Sequence, residues 1–511
     1  MHRRRQQKKG LSTVVGTLFF IAVVFVAIGT FVVMFNAFST YGNSLKSLSQ
    51  QQHQSQETSI SIQGLSFNSS AETISTSPAS TATSISSERK VIFASGLWWD
   101  FFSTGTTGSG NGISYETSPD GISWSPLTSV TITSGSQYGS TFSLWQIQNT
   151  IYYEMTTPHA SANFVWRYGT LNSGGSITWS IPETSITTTG TSNYYSSIAV
   201  DNSGNAWVAF NSVEGSSNNH IEVWEHASGA GAGTWTKATD LSSLPSDATP
   251  ILLPLSSGGV ALIYGTGQKT GLVSIVTSSS GWASPVSPPS KYAMFDSSAV
   301  AIGNTVYFVG LASASSGSTS GTVNFWSYSS GQSSTSAETA LQSNSNAWSA
   351  SLSEISSGLL AFYGSGSNVY YTSTQNFGAS FSPQLSISTG ESSLTGVSSG
   401  YSSSGLSWTS GSSSPYNVRF SSLGILAVNN NSPFAIQAVS LYIYNPSTTA
   451  LIHYDLNSSA QGVSGAFDYW IGSARSISVP LAFPWSPTQT YLVTVTTDQG
   501  IIASLTETSP T

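Results

Sequence analysis

The chain has 511 residues, 14 of them Lys or Arg and 22 Asp or Glu, for a net charge of −8. Only 7% are charged, against roughly 25% in an ordinary domain, and cysteine is absent. This excludes disulfides, thiolate metal sites and cysteine nucleophiles. Five of the cations (Arg3, Arg4, Arg5, Lys8 and Lys9) lie in the first nine residues, so no basic stripe remains to follow a nucleic-acid backbone.

The first element is the sharpest. A basic head, residues 1–10, precedes 11–38, a run without an ionisable side chain. About 20 apolar residues span a hydrocarbon core, and positive flanks stay cytoplasmic. The expectation is therefore a single transmembrane helix, N-terminus inside, with the bulk of the chain outside the membrane. The string Lys8-Lys9-Gly10-Leu11-Ser12-Thr13-Val14-Val15-Gly16-Thr17-Leu18 resembles the start of archaeal type IV pilins and pilin-like proteins. That resemblance implies a prepilin peptidase as partner. It would cut between Gly10 and Leu11, after Lys9, and leave Leu11 as the mature N-terminus. Val15 stands where bacterial pilins carry Glu, a residue that archaeal relatives often lack.

Residues 39–88 read as a polar stalk and Ser/Thr/Ala-rich spacer, with 58–67 as a candidate strand. From 89 to 423 a marker recurs near a 50-residue period: a turn, an aromatic, a small residue and often Pro. The aromatics are Trp124, Trp179, Trp235, Trp282 and Phe381. Short β-branched and aromatic runs separated by Gly/Ser/Asn turns lie between them and read as hairpins. Four short strands per 50 residues is the spacing of a propeller blade. Blades are expected to start near 90, 141, 195, 248, 296, 349 and 392, which makes seven, with six as the alternative count. The last is short of a strand, which 58–67 would supply.

Ser118-Pro119-Asp120-Gly121-Ile122-Ser123-Trp124 resembles the Asp-box hairpin of sialidase-like propellers. The resemblance implies that Asp120 binds turn amides, that Trp124 packs into the blade, and that the box lies away from the catalytic face. The segment 172–179 looks like a decayed copy. Sialidases hold a carboxylate with three arginines, and this region offers only Arg89, Arg167 and Arg419, none in the sequence context of sialidases. Other glycosidases need two facing carboxylates, and Asp100, Glu116, Glu154, Glu222 and Asp296 are the acids in expected strands or turns. Trp98 and Trp99 are adjacent in an expected strand, so their rings point to opposite faces, and one is a candidate for stacking on sugar. His220 and His226, near Glu222 and Glu225, match no zinc spacing, and the sequence calls for no metal or cofactor.

Residues 424–511 change character. About six to seven alternating strands suggest a small Ig-like β-sandwich, similar in pattern to domains of archaeal surface proteins. Asn68, Asn430 and Asn457 stand in Asn-x-Ser sequons, candidate glycosylation positions outside a membrane. The chain thus reads as mainly β. Three functions fit it: an anchored adhesion or binding protein for surface glycans or proteins, a surface glycoside hydrolase, or a pilin-like filament subunit.

Overall fold

The computed structural model describes residues 15–34, 36, 39, 59–66 and 69–509, with breaks at 106–111, 131–141, 157–162, 215–217, 245–247, 266–270, 279–281, 283–284, 313–320, 356–357, 375–376, 383, 389, 392–393, 456–464, 468, 482–484 and 486–487. Val15–Met34 is one helix. At 1.5 Å per residue its 20 residues reach about 30 Å, long and apolar enough to cross a membrane. Its apolar side chains are exposed.

The rest of the described chain is β-structure. Four separate sheets form blades one (91–129), two (142–187), three (192–244) and seven (395–422), and a ten-stranded sheet carries blades four to six (249–388). Blades five and six fuse because Thr339–Ile355 serves both. Its first half pairs with Gly321–Ser329 and its second with Gly358–Ser365. The seven-blade count and the blade starts read from the sequence agree with this pattern.

The recurring aromatics act between blades. Trp124 meets Phe420 of blade seven edge-on at 4.7 Å, and Trp235 meets Phe164 and Trp166 of blade two. Trp282 meets Trp207 of blade three, and Phe381 meets Phe325 of blade five. Each of these four packs onto the blade before its own, whereas Trp179 meets Tyr153 and Arg167 of its own blade. The sequence period is therefore the period of an inter-blade staple.

Serines perform the same task at the centre. An innermost strand has one paired edge, and its other N–H groups are buried and need acceptors. Ser143 Oγ accepts from Ile198 N, Ser197 Oγ from Leu252 N, Ser349 Oγ from Val397 N and Ser398 Oγ from Lys90 N. A short hydroxyl on each strand thus bridges to the next blade.

Ring closure differs from the expectation. Ile60–Leu65 does not join blade seven but pairs with Gly424–Asn430 in the C-terminal module, where Ile60 and Leu65 enter its core. The fourth strand of blade seven is Ser69–Ser77, antiparallel to Tyr416–Ser422. The spacer reading of 69–88 therefore fails. Its cause is visible in the pairing: register shifts between Ser69 and Glu72 and between Thr73 and Ser75 break the alternation that marks a strand. Ile74 still packs with Ala82, Phe102 and Val418.

From that strand the chain crosses to the axis. A 3-10 turn, Ser86–Glu88, lies against the innermost strands of blades two, three, five, six and seven. The centre of the ring is thereby filled by main chain and by Glu88, Arg89 and Lys90, all buried. The C-terminal module is a β-sandwich of a three-stranded and a six-stranded sheet around a shared core that includes Leu426, Ile443, Val479 and Val493.

Candidate functional site

The Asp-box hairpin has the geometry its residues imply. Asp120 Oδ1 accepts from Ile122 N and Ser123 N, both at 2.8 Å, and from Ser118 Oγ at 2.9 Å. Ser118 Oγ accepts from Gly121 N at 2.8 Å. Gly121 takes a φ of +75°, the left-handed region where a side chain is strained. Trp124 Nε1 donates back to Gly121 O.

The three arginines stand in three different environments. Arg89 donates to Ser87 O and Ala299 O, with its guanidinium 4.7 Å from the Trp145 ring centre and 4.8 Å from that of Tyr401. Arg167 lies over Trp179 at 3.7 Å and bonds Val130 O. Arg419 pairs with Glu391 at 2.7 Å and with Thr73. No common carboxylate is presented to them.

The acids are likewise dispersed or sealed. Asp100 and Glu116 are cross-strand partners in blade one, but both are buried in the interior, out of reach of a substrate. Glu154 is fully buried in blade two. Burial pushes the carboxyls of Asp100 and Glu154 well above their usual range. The hydroxyls of Ser407 and Ser196 face them and favour the charged forms, but burial outweighs both. Beside them Lys90 Nζ lies 2.6 Å from Glu88 Oε2 and 2.6 Å from Phe142 O. Burial raises Glu88 to about 8 and lowers Lys90 to about 8.

Glu222 accepts from Thr189 and from Trp224 Nε1. Asp296 lies in an irregular stretch of an innermost strand between Ala293 and Ser298, and burial raises it to about 7. His220 bonds Asp240 at 2.8 Å, and His226 stacks on Trp166 and Trp235. Each of these side chains is spent on structure, Asp296 excepted.

The open space lies elsewhere. The turns that join the first and second strands of the blades surround two cavities on one face of the propeller. The first, 470 Å³, is a cleft at the junction with the sandwich, and Phe93, Trp98, Trp485 and Ser402–Ser404 line it. The second, 670 Å³, lies over the axis, and Trp145, Tyr152, Asp201 and Tyr401 line it. Glu354 borders both, so the two cavities adjoin there and are together called the groove. Beneath it the Trp145–Arg89–Tyr401 stack makes a rigid floor, and Tyr401 Oη bonds the main chain of Ala301.

Trp98 and Trp99 part as strand alternation requires. Trp99 is 0% exposed and packs on Tyr115. Trp98 borders the cleft, held by Phe93 at 4.8 Å and Phe420 at 5.4 Å. A Cβ on Gly405 would come within 2.5 Å of its ring, so only glycine lets the indole lie there. Pro119 and Asp120 line the same cleft. The groove thus opens on the face that carries the box, opposite to where the sialidase resemblance places chemistry.

Sequence reasoning found Trp98 but missed Trp145, Glu354, Tyr401 and Trp485. No motif marks them, and only the ring of blades brings 145, 354 and 401 together. Asn430 is corrected: it is 1% exposed, and its amide donates to Phe434 O, Ile471 O and Gly472 O. It holds the sandwich together and presents no free amide for glycosylation. Lys9, Gly10, Leu11, Asn68 and Asn457 lie outside the described residues.

No protein-family model matches the chain, and no curated protein is significantly similar to it. Solved structures with a similar arrangement include a Trypanosoma rangeli sialidase, 11% identical, with 85% of this chain and 87% of that one covered at a TM-score of 0.40. A mutant of AofleA from Arthrobotrys oligospora is 11% identical over 64% of this chain and 91% of its own, with a TM-score of 0.41. An ulvan lyase, a polysaccharide lyase, is 7% identical over 68% and 93%, with a TM-score of 0.43.

Proposed function

We propose that this chain is a membrane-anchored extracytoplasmic binding protein that holds a glycan in the groove between propeller and sandwich. The observation that carries the reading is Trp98, a half-buried indole at the edge of an aromatic-lined cleft beside the exposed hydroxyl of Ser402. Flat rings bury the apolar faces of sugars, and a few placed hydroxyls fix their orientation. The glycoside hydrolase alternative lacks support in this groove. Of the acids lining it, Asp120 binds its own turn, and Asp201 accepts from Ser203 N, Asn205 N and Trp207 Nε1. That leaves Glu354 without the second carboxylate such chemistry needs.

In this reading the helix at 15–34 is the anchor, with the N-terminus inside and the β-structure outside. Cleavage after Gly10 by a prepilin peptidase, and with it a place in a pilin-like filament, rests on the sequence of the leader. The Ig-like character of the sandwich and an archaeal source belong to the same proposal, as does glycosylation at Asn68 and Asn457. The direct test is a panel of soluble oligosaccharides titrated against the full chain in lipid nanodiscs. Trp98→Ala is expected to weaken any ligand about tenfold, which corresponds to about 1.4 kcal/mol. Unchanged affinity in Trp98→Ala would place binding elsewhere.

A further inference from the structure

We infer that the groove selects glycans built of amino sugars, with a protonated amine seated on Glu354. This deepens the proposed function and rests on the groove being a carbohydrate site.

Three side chains that carry charge at neutral pH line the two cavities, Asp120, Asp201 and Glu354, and all are acidic; no Lys, Arg or His is among the described lining residues. Asp201 binds donors of its own turn through both oxygens, and Asp120 binds three donors of its turn through Oδ1. Glu354 differs. It lies at the end of an innermost strand of the propeller, half-buried, on the border shared by both cavities. Among the described residues its carboxylate has no ion pair and no hydrogen bond. The nearby cation, Arg89, is 4% exposed, lies below the floor and is bound to Ser87 O and Ala299 O.

A half-buried carboxylate without a counter-ion is costly to keep, and burial already holds Glu354 above the usual range. A ligand cation would relieve that cost. Trp145 and Tyr401 give their inner faces to Arg89, so an ammonium over the same rings is disfavoured and Glu354 alone sets its position. Polyanions such as polyuronates meet a groove of one repelling sign. An amine-bearing polymer meets aromatic walls for its rings and one carboxylate for its charge.

The test uses the full chain in nanodiscs and two β-1,4-linked tetramers, of glucosamine and of glucose, which differ only in amine for hydroxyl. The wild type is expected to bind the glucosamine tetramer at least tenfold more tightly. Glu354→Gln, which keeps shape and removes charge, is expected to erase that preference. Equal affinity for the two tetramers in the wild type, or a preference that survives Glu354→Gln, overturns the inference and leaves the carbohydrate site standing. If neither tetramer nor any other sugar of the panel binds, the carbohydrate reading itself fails.

Discussion

Lys90 is the residue whose loss the ring should feel most. It is 0% exposed, and its ammonium touches Glu88, Phe142 O and the Phe142 ring, the last at 3.3 Å. Lys90→Met keeps the aliphatic bulk and deletes the charge. Glu88 Oε2 then retains only the Ile85 N–H, and Glu88 Oε1 has no partner even in the wild type. Removing one member of a buried pair costs about 3–5 kcal/mol when the other stays charged. A carboxyl that instead takes up a proton loses one charged hydrogen bond, about 1–3 kcal/mol. Glu88 already titrates near 8 with Lys90 present, and without the ammonium its pKa rises further. The folded variant therefore keeps Glu88 protonated. The penalty should be about 2 kcal/mol at pH 5 and grow toward about 4 kcal/mol at pH 9, where the unfolded chain gains by ionising it. At about 2 °C per kcal/mol for a large domain, Tm should fall by about 4 °C and about 8 °C. Differential scanning fluorimetry of the full chain in detergent reads this directly. The double variant Glu88→Gln/Lys90→Met, which leaves no charge behind, should recover most of the loss. A single variant that melts with the wild type, or a double variant no better than the single, would refute the reasoning.

Two further outcomes follow from the interior and the seam. Asp100, Glu154 and Glu88 have pKa values raised by burial, so their contribution to stability is full below their unfolded values near 4 and lost as pH rises toward 8 and above. Lys90, lowered to about 8, is protonated in both states until the pH nears that value. Tm should fall from pH 5 to pH 8 in the wild type and change less in Asp100→Asn/Glu154→Gln, and a wild type that melts higher at pH 8 would contradict this. Ile74→Asp sets a charge among Ala82, Phe102 and Val418 and should destabilise the propeller by about 2–3 kcal/mol. Resistance of its Ser69–Ser77 segment to limited proteolysis equal to wild type would show that this strand does not close the ring.

The propeller was legible because its signal is periodic. Trp124, Trp235, Trp282 and Phe381 repeat since each reaches the preceding blade, and a staple can be read without knowing what it clasps. Ser69–Ser77 was not legible, for its two register shifts erase the alternation a reader looks for. The plug at 86–90 was hidden for another reason. Glu88, Arg89 and Lys90 look like an ordinary solvated run, and only the convergence of five inner strands makes them interior. The groove was half legible: alternation separates Trp98 from Trp99, whereas Trp145, Glu354 and Tyr401 meet only through closure of the ring. Asn430 shows the opposite hazard, a motif satisfied by composition whose amide is committed to the core.

The segment after the helix enters both folded parts in succession, Ile60–Leu65 in the sandwich and Ser69–Ser77 in the last blade. A tether that merely abutted a domain would pass tension into one hydrogen bond at a time, like a zipper. On the proposed anchoring, tension would instead enter two strands that are each paired along their length. On the proposed glycan-binding reading, a pull on a bound ligand would thus be shared by a ladder of the sandwich and a ladder of the last blade.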